Sequence, residues 1–257
     1  MNMPSMRVDG KVALVTGTGS GLGRVIAIGL AEAGADVALT ELPGREAAAE
    51  ETAREVRARG RRALVVPLDV TRLPMIGEAV DRAMAGLGRI DILVNNAGLN
   101  VPKLAVDVTE EDWDRVLDVD LKGVFFTTQA VARKAMIPQR AGKIVNIASI
   151  MGVVGYTHRA AYASAKAGVV NLTRVLAFEW AKHGITVNAV APTFVETPLT
   201  RPMFEDPAFK EDVLRRIPLG RLGTPEDIVG AVVYLSSPAA DLVTGHTLRV
   251  DGGWTAV

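Results

Sequence analysis

The segment Thr16-Gly17-Thr18-Gly19-Ser20-Gly21-Leu22-Gly23 follows a short apolar run and precedes an amphipathic stretch of helical period. Glycines between a strand and a helix permit a tight turn and a close backbone approach to a phosphate, and the helix N-terminus supplies amide donors and a positive dipole. No Gly-Lys-Ser/Thr follows, which excludes a P-loop, and the spacing differs from the widespread G-x-G-x-x-G register. The pattern predicts a dinucleotide-binding turn built from Gly17, Ser20, Gly21, Leu22 and Gly23.

The composition excludes several classes of protein. The 257 residues carry 29 Lys+Arg against 29 Asp+Glu, whereas a binder of nucleic acid normally has a basic surplus. No apolar stretch is long enough to span a membrane, and the first nine residues are too polar for a signal peptide. Cysteine is absent and the three histidines lie far apart, so no disulfide and no metal site is expected. We expect a soluble, cytoplasmic protein that binds neither nucleic acid nor membrane.

Short β-branched runs alternate with longer helical patterns along the whole chain. Most of the runs are apolar throughout, which is typical of strands buried on both faces of a parallel sheet. The alternation therefore predicts an α/β fold whose sheet has helices on both faces, and the lack of a linker or repeat predicts one domain over 1–257. The predicted strands are Lys11–Thr16, Asp36–Glu41, Ala63–Leu68, Ile90–Val94, Gly142–Ala148, Thr186–Ala191 and Thr247–Val250, and the predicted helices are Leu22–Ala33, Arg45–Arg59, Met75–Ala85, Glu110–Met136, Ala160–His183 and Pro225–Leu235.

One segment breaks this alternation. From Pro192 to Pro218 the chain contains five prolines and is long for a connection, and long connections often cover a binding site. We predict a substrate lid over 193–218. The alternative is a surface excursion with a short helix around Ala208–Arg216.

Glu41 ends the second predicted strand, 18 residues after Gly23. A carboxylate at this position can accept hydrogen bonds from an adenosine ribose and repels a 2′-phosphate. The next residues, Leu42 and Pro43, are not basic, although Arg45 is close enough to reach a phosphate. The sequence therefore favours NAD over NADP, with Glu41 and Leu42 at the adenosine end; the alternative is a solvated glutamate at a strand end.

Tyr162 and Lys166 lie four residues apart in a predicted helix and therefore on one face. A free phenol is a weak acid-base group at pH 7, but an adjacent ammonium favours the phenolate. Ser149 directly follows the fifth predicted strand, at the edge where catalytic groups of open α/β sheets gather. A phenol and a hydroxyl that meet at one oxygen suit a carbonyl/alcohol couple, with Tyr162 moving the proton and Ser149 holding the oxygen.

Taken together, these segments resemble the short-chain dehydrogenase/reductase family over nearly the full length of the chain. The resemblance implies one Rossmann-type, doubly wound domain with seven parallel strands, a homotetramer, and hydride transfer between nicotinamide C4 and a substrate carbon. The segments that carry it are the glycine turn, Asp69-Val70, Asn95-Asn96-Ala97-Gly98, Ser149, Tyr162-x-x-x-Lys166, Asn188-Ala189-Val190-Ala191-Pro192 and Asp251-Gly252-Gly253.

The resemblance also implies roles for individual residues. Tyr162 would be the acid/base, Lys166 would hold the nicotinamide ribose, and Ser149 would orient the substrate. Further cofactor contacts would come from Asp69 and Val70 at the adenine, from Asn96, Ala97 and Gly98 on the ribose side, and from Pro192, Val195 and Thr197 near the carboxamide.

Two positions depart from the family pattern. Thr193 stands where the family usually has glycine, after the proline that follows the sixth strand. Asp120 stands where the family has its fourth catalytic residue, an asparagine. An ionised aspartate only accepts hydrogen bonds, whereas asparagine also donates. We expect Asp120 to take this catalytic position in an active enzyme.

The segment from Gly245 to Trp254 and the overall pattern look most like gluconate 5-dehydrogenase-like and related sugar or polyol dehydrogenases. We therefore predict an oxidoreductase that transfers a hydride between NAD(H) and a secondary alcohol or ketone in a sugar, sugar acid or polyol. The alternatives are a 3-oxoacyl-carrier-protein reductase, against which Glu41 weighs, and a catalytically idle dinucleotide-binding sensor or scaffold. The candidate substrate contacts are Ser149, Met151, His158 and Arg201.

Overall fold

The computed structural model describes residues 3–198 and 200–256. Seven parallel strands form one sheet in the order β3-β2-β1-β4-β5-β6-β7, so the fold class expected from the sequence is confirmed. The observed strands are β1 Val12–Thr16, β2 Asp36–Glu41, β3 Ala63–Pro67, β4 Ile92–Asn95, β5 Gly142–Ile147, β6 Ile185–Pro192 and β7 Thr247–Val250.

Helices cover both faces of this sheet. They are α1 Gly21–Glu32, α2 Glu46–Ala58, α3 Leu73–Leu87, α4 Glu110–Leu117, α5 Val124–Val131, α6 Ile137–Gln139, α7 Ala160–Trp180, α8 Pro207–Arg215 and α9 Pro225–Ser236. In the part of the chain that the structure describes, no helix has the length and apolarity that a membrane crossing requires.

The apolar side chains of the strands pack into two separate hydrophobic cores. In β1, Ala13 and Val15 face a core built with α1, α2 and α9, whereas Val12 and Leu14 face a second core built with α3, α5 and α7. All five residues of β1 are buried, because successive side chains point to opposite faces and each face has its own helical layer. This is why the strands lack the alternation of apolar and polar residues that a half-exposed sheet shows.

The long helix expected over Glu110–Met136 is observed as several pieces. A π-helical turn, Asp118–Gly123, separates α4 from α5, and a second π-helical segment, Ala132–Met136, precedes α6. The prediction of one continuous helix was therefore wrong in detail. A π-turn adds one residue to a helical turn, and this changes the spacing of apolar residues too little to be recognised in the sequence. The first π-turn contains Asp120.

The direction of the chain reverses at β1, because it runs from β1 outward to β3 and then returns to β4 on the other side. The carboxyl ends of β1 and β4 are held together by hydrogen bonds from the segment after β4. Thr16 Oγ1 accepts from the backbone N–H groups of Asn96 and Ala97, both at 2.9 Å. The Asn96 amide donates to the carbonyl oxygens of Thr16 and Gly17 at 2.8 and 3.1 Å. A ligand crevice is expected at such a reversal.

Between β6 and α9 the chain makes the excursion expected from its prolines. It contains a 3-10 helix, Arg201–Glu205, and the helix α8, in agreement with the short helix expected around Ala208–Arg216. Aromatic residues anchor the segment, since Phe204 and Phe209 pack against Phe194 at centroid distances of 6.0 and 5.7 Å. The excursion therefore packs on the end of β6 instead of extending into solvent.

Two glycines inside helices give a test of the packing between α1 and α9. A Cβ at Gly29 in α1 would overlap Cγ1 of Val229 in α9, whereas a Cβ at Gly77 in α3 would have only the flexible Lys134 Nζ nearby, at 3.6 Å. We expect Gly29→Ala to lower the free energy of unfolding by about 1–3 kcal/mol, because α1 must move away from α9. Gly77→Ala is expected to raise it by about 0.5–1 kcal/mol, because alanine favours the helix.

Urea denaturation of both variants at one protein concentration measures the difference. Stabilisation of the protein by Gly29→Ala would contradict the close contact of α1 with α9.

Candidate active site

A cleft of about 770 Å³ opens along the carboxyl ends of the strands, on both sides of the reversal at β1. It brings together the glycine turn, the ends of β2, β4, β5 and β6, and the N-terminal half of α7. The cleft lining includes these residues singled out in the sequence: Gly17, Ser20, Gly21, Leu22, Gly23, Glu41, Leu42, Asp69, Val70, Asn96, Ala97, Gly98, Asp120, Ser149, Met151, Tyr162, Lys166, Pro192, Val195 and Thr197.

The glycine turn has no room for side chains at the places where it curves. Gly17 and Gly21 have φ angles of 71° and 57°, a region that disfavours residues with a Cβ. A Cβ at Gly23 would overlap the carbonyl oxygen of Gly17. The turn is therefore an open cradle of backbone at the N-terminus of α1, and it fits the phosphates of a dinucleotide.

The adenosine end of the cleft is shaped by the carboxylate of Glu41. One oxygen accepts from the Gly19 N–H at 2.8 Å and the other accepts from the Leu42 N–H at 3.0 Å, so the carboxylate is held in place by backbone. Asp69 is fixed in a similar way by the backbone N–H and the hydroxyl of Thr71, at 2.9 and 2.7 Å. Arg45, the basic residue noted in the sequence, also lines the cleft.

Tyr162 and Lys166 occupy successive turns of α7 and face the cleft together. The Lys166 Nζ lies 5.5 Å from the centroid of the Tyr162 ring. It donates to the Ile147 carbonyl oxygen at 3.0 Å, so the end of β5 fixes the ammonium. A positive charge held next to a phenol favours the phenolate, which can accept a proton from an alcohol.

Asp120 forms a buried ion pair with this lysine. Its Oδ2 lies 3.0 Å from the Lys166 Nζ, and the side chains are 0% and 5% exposed. The other oxygen, Oδ1, accepts from the Leu99 N–H at 2.8 Å. Burial raises the pKa of Asp120, against the opposing effect of Lys166 and the Leu99 amide. Burial disfavours the ammonium, but Asp120 and Tyr162 outweigh this effect and raise the pKa of Lys166.

Ser149 follows β5 and begins a 3-10 turn, Ile150–Gly152. Its Oγ accepts from the Met151 N–H at 3.1 Å, which orients the hydroxyl in the cleft and leaves its proton available to a ligand oxygen. The turn approaches α7 closely, because a Cβ at Gly152 would lie 2.7 Å from the Lys166 carbonyl oxygen. Gly152 thus allows the segment that carries Ser149 to pack beside Lys166, a role that its sequence context did not indicate.

The opposite wall of the cleft comes from the residues after β6. Val195 forms an isolated bridge with Gly223, and Thr200 Oγ1 donates to the Val195 carbonyl oxygen at 2.6 Å. Thr193, which replaces the usual glycine of the family pattern, also lines the cleft. Its hydroxyl is buried without a hydrogen-bond partner among the described residues.

Two of the four candidate substrate contacts lie outside the cleft lining. His158 is exposed and pairs with the Thr157 hydroxyl, and Arg201 is exposed near Glu196, with 3.6 Å between the charged groups. Arg159, the residue after His158, lines the cleft instead and is only 5% exposed. The left-handed backbone of His158, with φ of 59°, turns the chain so that these neighbours point in different directions.

Comparison with known proteins shows to which family the chain with this cleft belongs. A family model described as enoyl-(acyl carrier protein) reductase matches residues 17–255. The 2-dehydro-3-deoxy-D-gluconate 5-dehydrogenase of Escherichia coli K12 is 43% identical over 256 residues, which is 100% of both chains. The chain belongs to the short-chain dehydrogenase/reductase family.

Two further relatives of this family are similar over almost the whole chain. The 3-oxoacyl-(acyl-carrier-protein) reductase of Thermotoga maritima is 41% identical, with 96% of this chain and 99% of the relative covered. The crystal structure of a gluconate 5-dehydrogenase from Burkholderia cenocepacia in complex with NADP and tartrate has a TM-score of 0.94 at 40% identity, with 99% of each chain covered. The protein is therefore an oxidoreductase that uses a nicotinamide dinucleotide.

The ion pair between Asp120 and Lys166 gives a pH prediction. We expect the Tyr162 hydroxyl to exchange the proton during alcohol oxidation, and the negative charge of Asp120 offsets the positive charge of Lys166 beside this hydroxyl. We expect Asp120→Asn to move the rising limb of the pH–rate profile to lower pH without abolishing turnover, because the substitution removes the charge that opposes Lys166.

The matched control is Asp118→Asn, since Asp118 lies in the same π-turn but pairs with the exposed Lys122 at 3.0 Å. It removes the same charge outside the cleft and should leave the profile in place. A profile that Asp120→Asn does not move would show that this carboxylate has no influence on the proton transfer.

Proposed function

We propose that this protein interconverts a secondary alcohol and a ketone in a sugar acid. The observation that carries the proposal is the convergence of Ser149, Tyr162 and Lys166 on one cleft beside the glycine turn. The E. coli relative named as a 2-dehydro-3-deoxy-D-gluconate 5-dehydrogenase matches the entire chain, which supports a sugar acid as the substrate class. A 3-oxoacyl-carrier-protein reductase is the second candidate, supported by the T. maritima relative.

In the proposed mechanism the bound nicotinamide supplies or accepts the hydride. The Tyr162 hydroxyl gives a proton to the substrate oxygen during ketone reduction and takes one from the alcohol during oxidation. Ser149 donates a hydrogen bond to the same oxygen and holds it in place. Lys166, fixed by the Ile147 carbonyl and Asp120, favours the phenolate and offers its remaining N–H to the nicotinamide ribose.

Substrate turnover tests this proposal directly. We expect kcat/KM for 2-dehydro-3-deoxy-D-gluconate or gluconate to exceed that for a 3-oxoacyl thioester by at least about tenfold, or 1.4 kcal/mol. Tyr162→Phe should lower turnover by about 10² or more with little change in cofactor affinity, because it removes only the proton donor.

Tyr234→Phe is the matched control, since Tyr234 lies in α9 outside the cleft lining. Dinucleotide absorbance follows the reaction. A preference for the thioester would favour the reductase, and binding of cofactor without turnover of any substrate would favour a sensor or scaffold.

We further propose NAD as the preferred cofactor. The support is the Glu41 carboxylate, which the Gly19 and Leu42 amides hold at the adenosine end, where it would repel a 2′-phosphate. The B. cenocepacia relative contains NADP and gives no support to this preference, so the proposal rests on Glu41 of this chain. Arg45 is the residue that would favour NADP if it reached the phosphate.

The preference is measured as the ratio of kcat/KM with NAD to that with NADP, which we expect to be at least about ten. Glu41→Gln should lower this ratio, because the amide lacks the negative charge, whereas Glu46→Gln at the start of α2 should not change it. Equal use of both cofactors by the unaltered enzyme would contradict the role of Glu41, and Arg45→Ala would then be expected to weaken NADP binding.

We also propose a homotetramer. Helix α7 carries Phe178, which is 90% exposed, and Val175, which is 45% exposed, although the same helix buries Val169 in the core. An apolar side chain of this size left in solvent is typical of a subunit interface.

Sedimentation velocity at micromolar concentration tests the assembly. We expect a tetramer for the natural chain and smaller species for Phe178→Glu, because a charge would be buried without a partner. Val106→Glu introduces the same charge at another exposed apolar position, outside α7, and serves as the control. A monomeric natural chain would contradict the proposal.

The segment 193–218 is proposed as the lid of the substrate end, since its residues Phe194, Thr200 and Met203 line the cleft. The single domain over 1–257 and the cytoplasmic location expected from the sequence stay predictions.

A further inference from the structure

Arg159 is a buried cation at the substrate end of the cleft. It is the N-cap residue of α7, and its carbonyl oxygen accepts from the Ala163 N–H at 2.7 Å, so it stands about one turn before Tyr162 and about two turns before Lys166. Its side chain lines the cleft and is 5% exposed. The guanidinium meets the lid segment, since its Nη2 lies 3.9 Å from the Met203 sulfur.

This guanidinium has no counter-charge within the part of the chain that the structure describes, because no carboxylate there lies within ion-pair distance of it. The acids of the cleft lining are already engaged: Glu41 by the Gly19 and Leu42 amides, Asp69 by Thr71, and Asp120 by Lys166 and Leu99. Burial lowers the pKa of Arg159, with only the two tyrosines Tyr162 and Tyr156 opposing this effect. A guanidinium nevertheless remains charged at any pH of interest.

Tyr156, an aromatic residue near Arg159, does not supply a negative charge to the guanidinium. Tyr156 donates to Asp212 at 2.9 Å, and this carboxylate also binds Arg215 and Arg216 of α8. Desolvation and Asp212 raise the pKa of Tyr156 to about 12, so it stays a neutral phenol. No described residue therefore supplies a negative charge to Arg159, whose side chain lines the cleft.

The donors of Arg159 are also largely unused. A guanidinium has five N–H groups, of which Nη1 donates to the His158 carbonyl oxygen at 3.0 Å and Nη2 makes the weak contact with Met203. No further acceptor for this side chain occurs among the described residues. A planar fork of unpaired N–H donors matches the two oxygens of a carboxylate.

We propose that Arg159 binds the carboxylate of the substrate and that this contact makes the enzyme select hydroxy acids over neutral polyols. This inference rests on the proposed sugar-acid function and names the residue that enforces it. With the carboxylate at Arg159 and the reacting oxygen at Ser149 and Tyr162, the two ends of the substrate are fixed inside the cleft. The phosphates of the dinucleotide are assigned to the glycine turn after β1. Arg159 lies elsewhere in the cleft, at the start of α7 against the lid segment, so its proposed ligand is the substrate.

The experiment compares two substrates that differ at one carbon, which is a carboxylate in gluconate and a hydroxymethyl group in glucitol. Gluconate and its neutral counterpart glucitol are assayed as alcohols with the natural chain, Arg159→Gln and Arg159→Lys. We expect the natural enzyme to prefer gluconate, and Arg159→Gln to lower the gluconate-to-glucitol ratio of kcat/KM by at least about a hundredfold, mainly through KM. Arg159→Lys should recover part of the ratio, since it keeps the charge but loses the planar fork.

Arg215→Gln is the matched control, because it removes an exposed arginine of α8 outside the cleft while Asp212 keeps Arg216. It should leave the ratio unchanged. Cofactor binding, followed by fluorescence titration, shows whether Arg159→Gln remains folded, and a second variant, Arg159→Met, repeats the measurement with a side chain that suits a buried position.

The outcomes separate the two proposals. If gluconate is oxidised and Arg159→Gln lowers both substrates equally or neither, the inference is overturned while the proposed function stands. If no hydroxy acid is turned over, the proposed function fails, and calorimetric titration of the cofactor-bound protein with gluconate decides the inference. If gluconate binds to the natural chain and Arg159→Gln abolishes this binding, the inference is supported. If gluconate does not bind, or if the substitution leaves its binding unchanged, the inference is overturned. Preference for a phosphorylated polyol over gluconate also overturns it.

Discussion

The site depends on the hydrogen bonds that join the ends of β1 and β4. Thr16 accepts from two successive backbone N–H groups, and the Asn96 side chain donates to the carbonyl oxygens of Thr16 and Gly17. β1 and β4 pair in the sheet up to Val15 and Val94, and these bonds continue the contact beyond the paired residues. These bonds fix the position of the glycine turn relative to Ala97 and Gly98, two residues of the cleft lining.

Much of the architecture could be predicted from the sequence because it rests on local patterns. Continuous apolar runs such as Val12 to Val15 identify strands buried on two faces, and the spacing of Tyr162 and Lys166 places both on one face of a helix. The π-turn at Asp118–Gly123 could not be predicted in this way. A helix that changes register for one turn keeps nearly the same apolar period, yet it carries Asp120 into the protein interior beside Lys166.

The sequence also could not show which of two neighbouring residues faces the cleft. His158 and Arg159 are both cations or potential cations close to Tyr162, and spacing alone favours neither. The left-handed backbone of His158 and the first turn of α7 decide the matter, because they direct one side chain to solvent and the other into the cleft. Asn96 lines the cleft, and its amide nitrogen also donates to the carbonyl oxygens of Thr16 and Gly17, a structural role that its sequence context did not indicate.

The anchoring of Glu41 affects how this protein can evolve. Its two oxygens hold the amides of Gly19 and Leu42, and a Cβ at Gly19 would lie 2.7 Å from one of them. Replacing Glu41 by a basic residue removes an electrostatic barrier and, in the same step, two supports of the turn on which the cofactor rests. A variant that changes its cofactor preference through Glu41 therefore also needs compensating substitutions nearby that support the turn. Evolutionary change at position 41 is constrained by the residues around it.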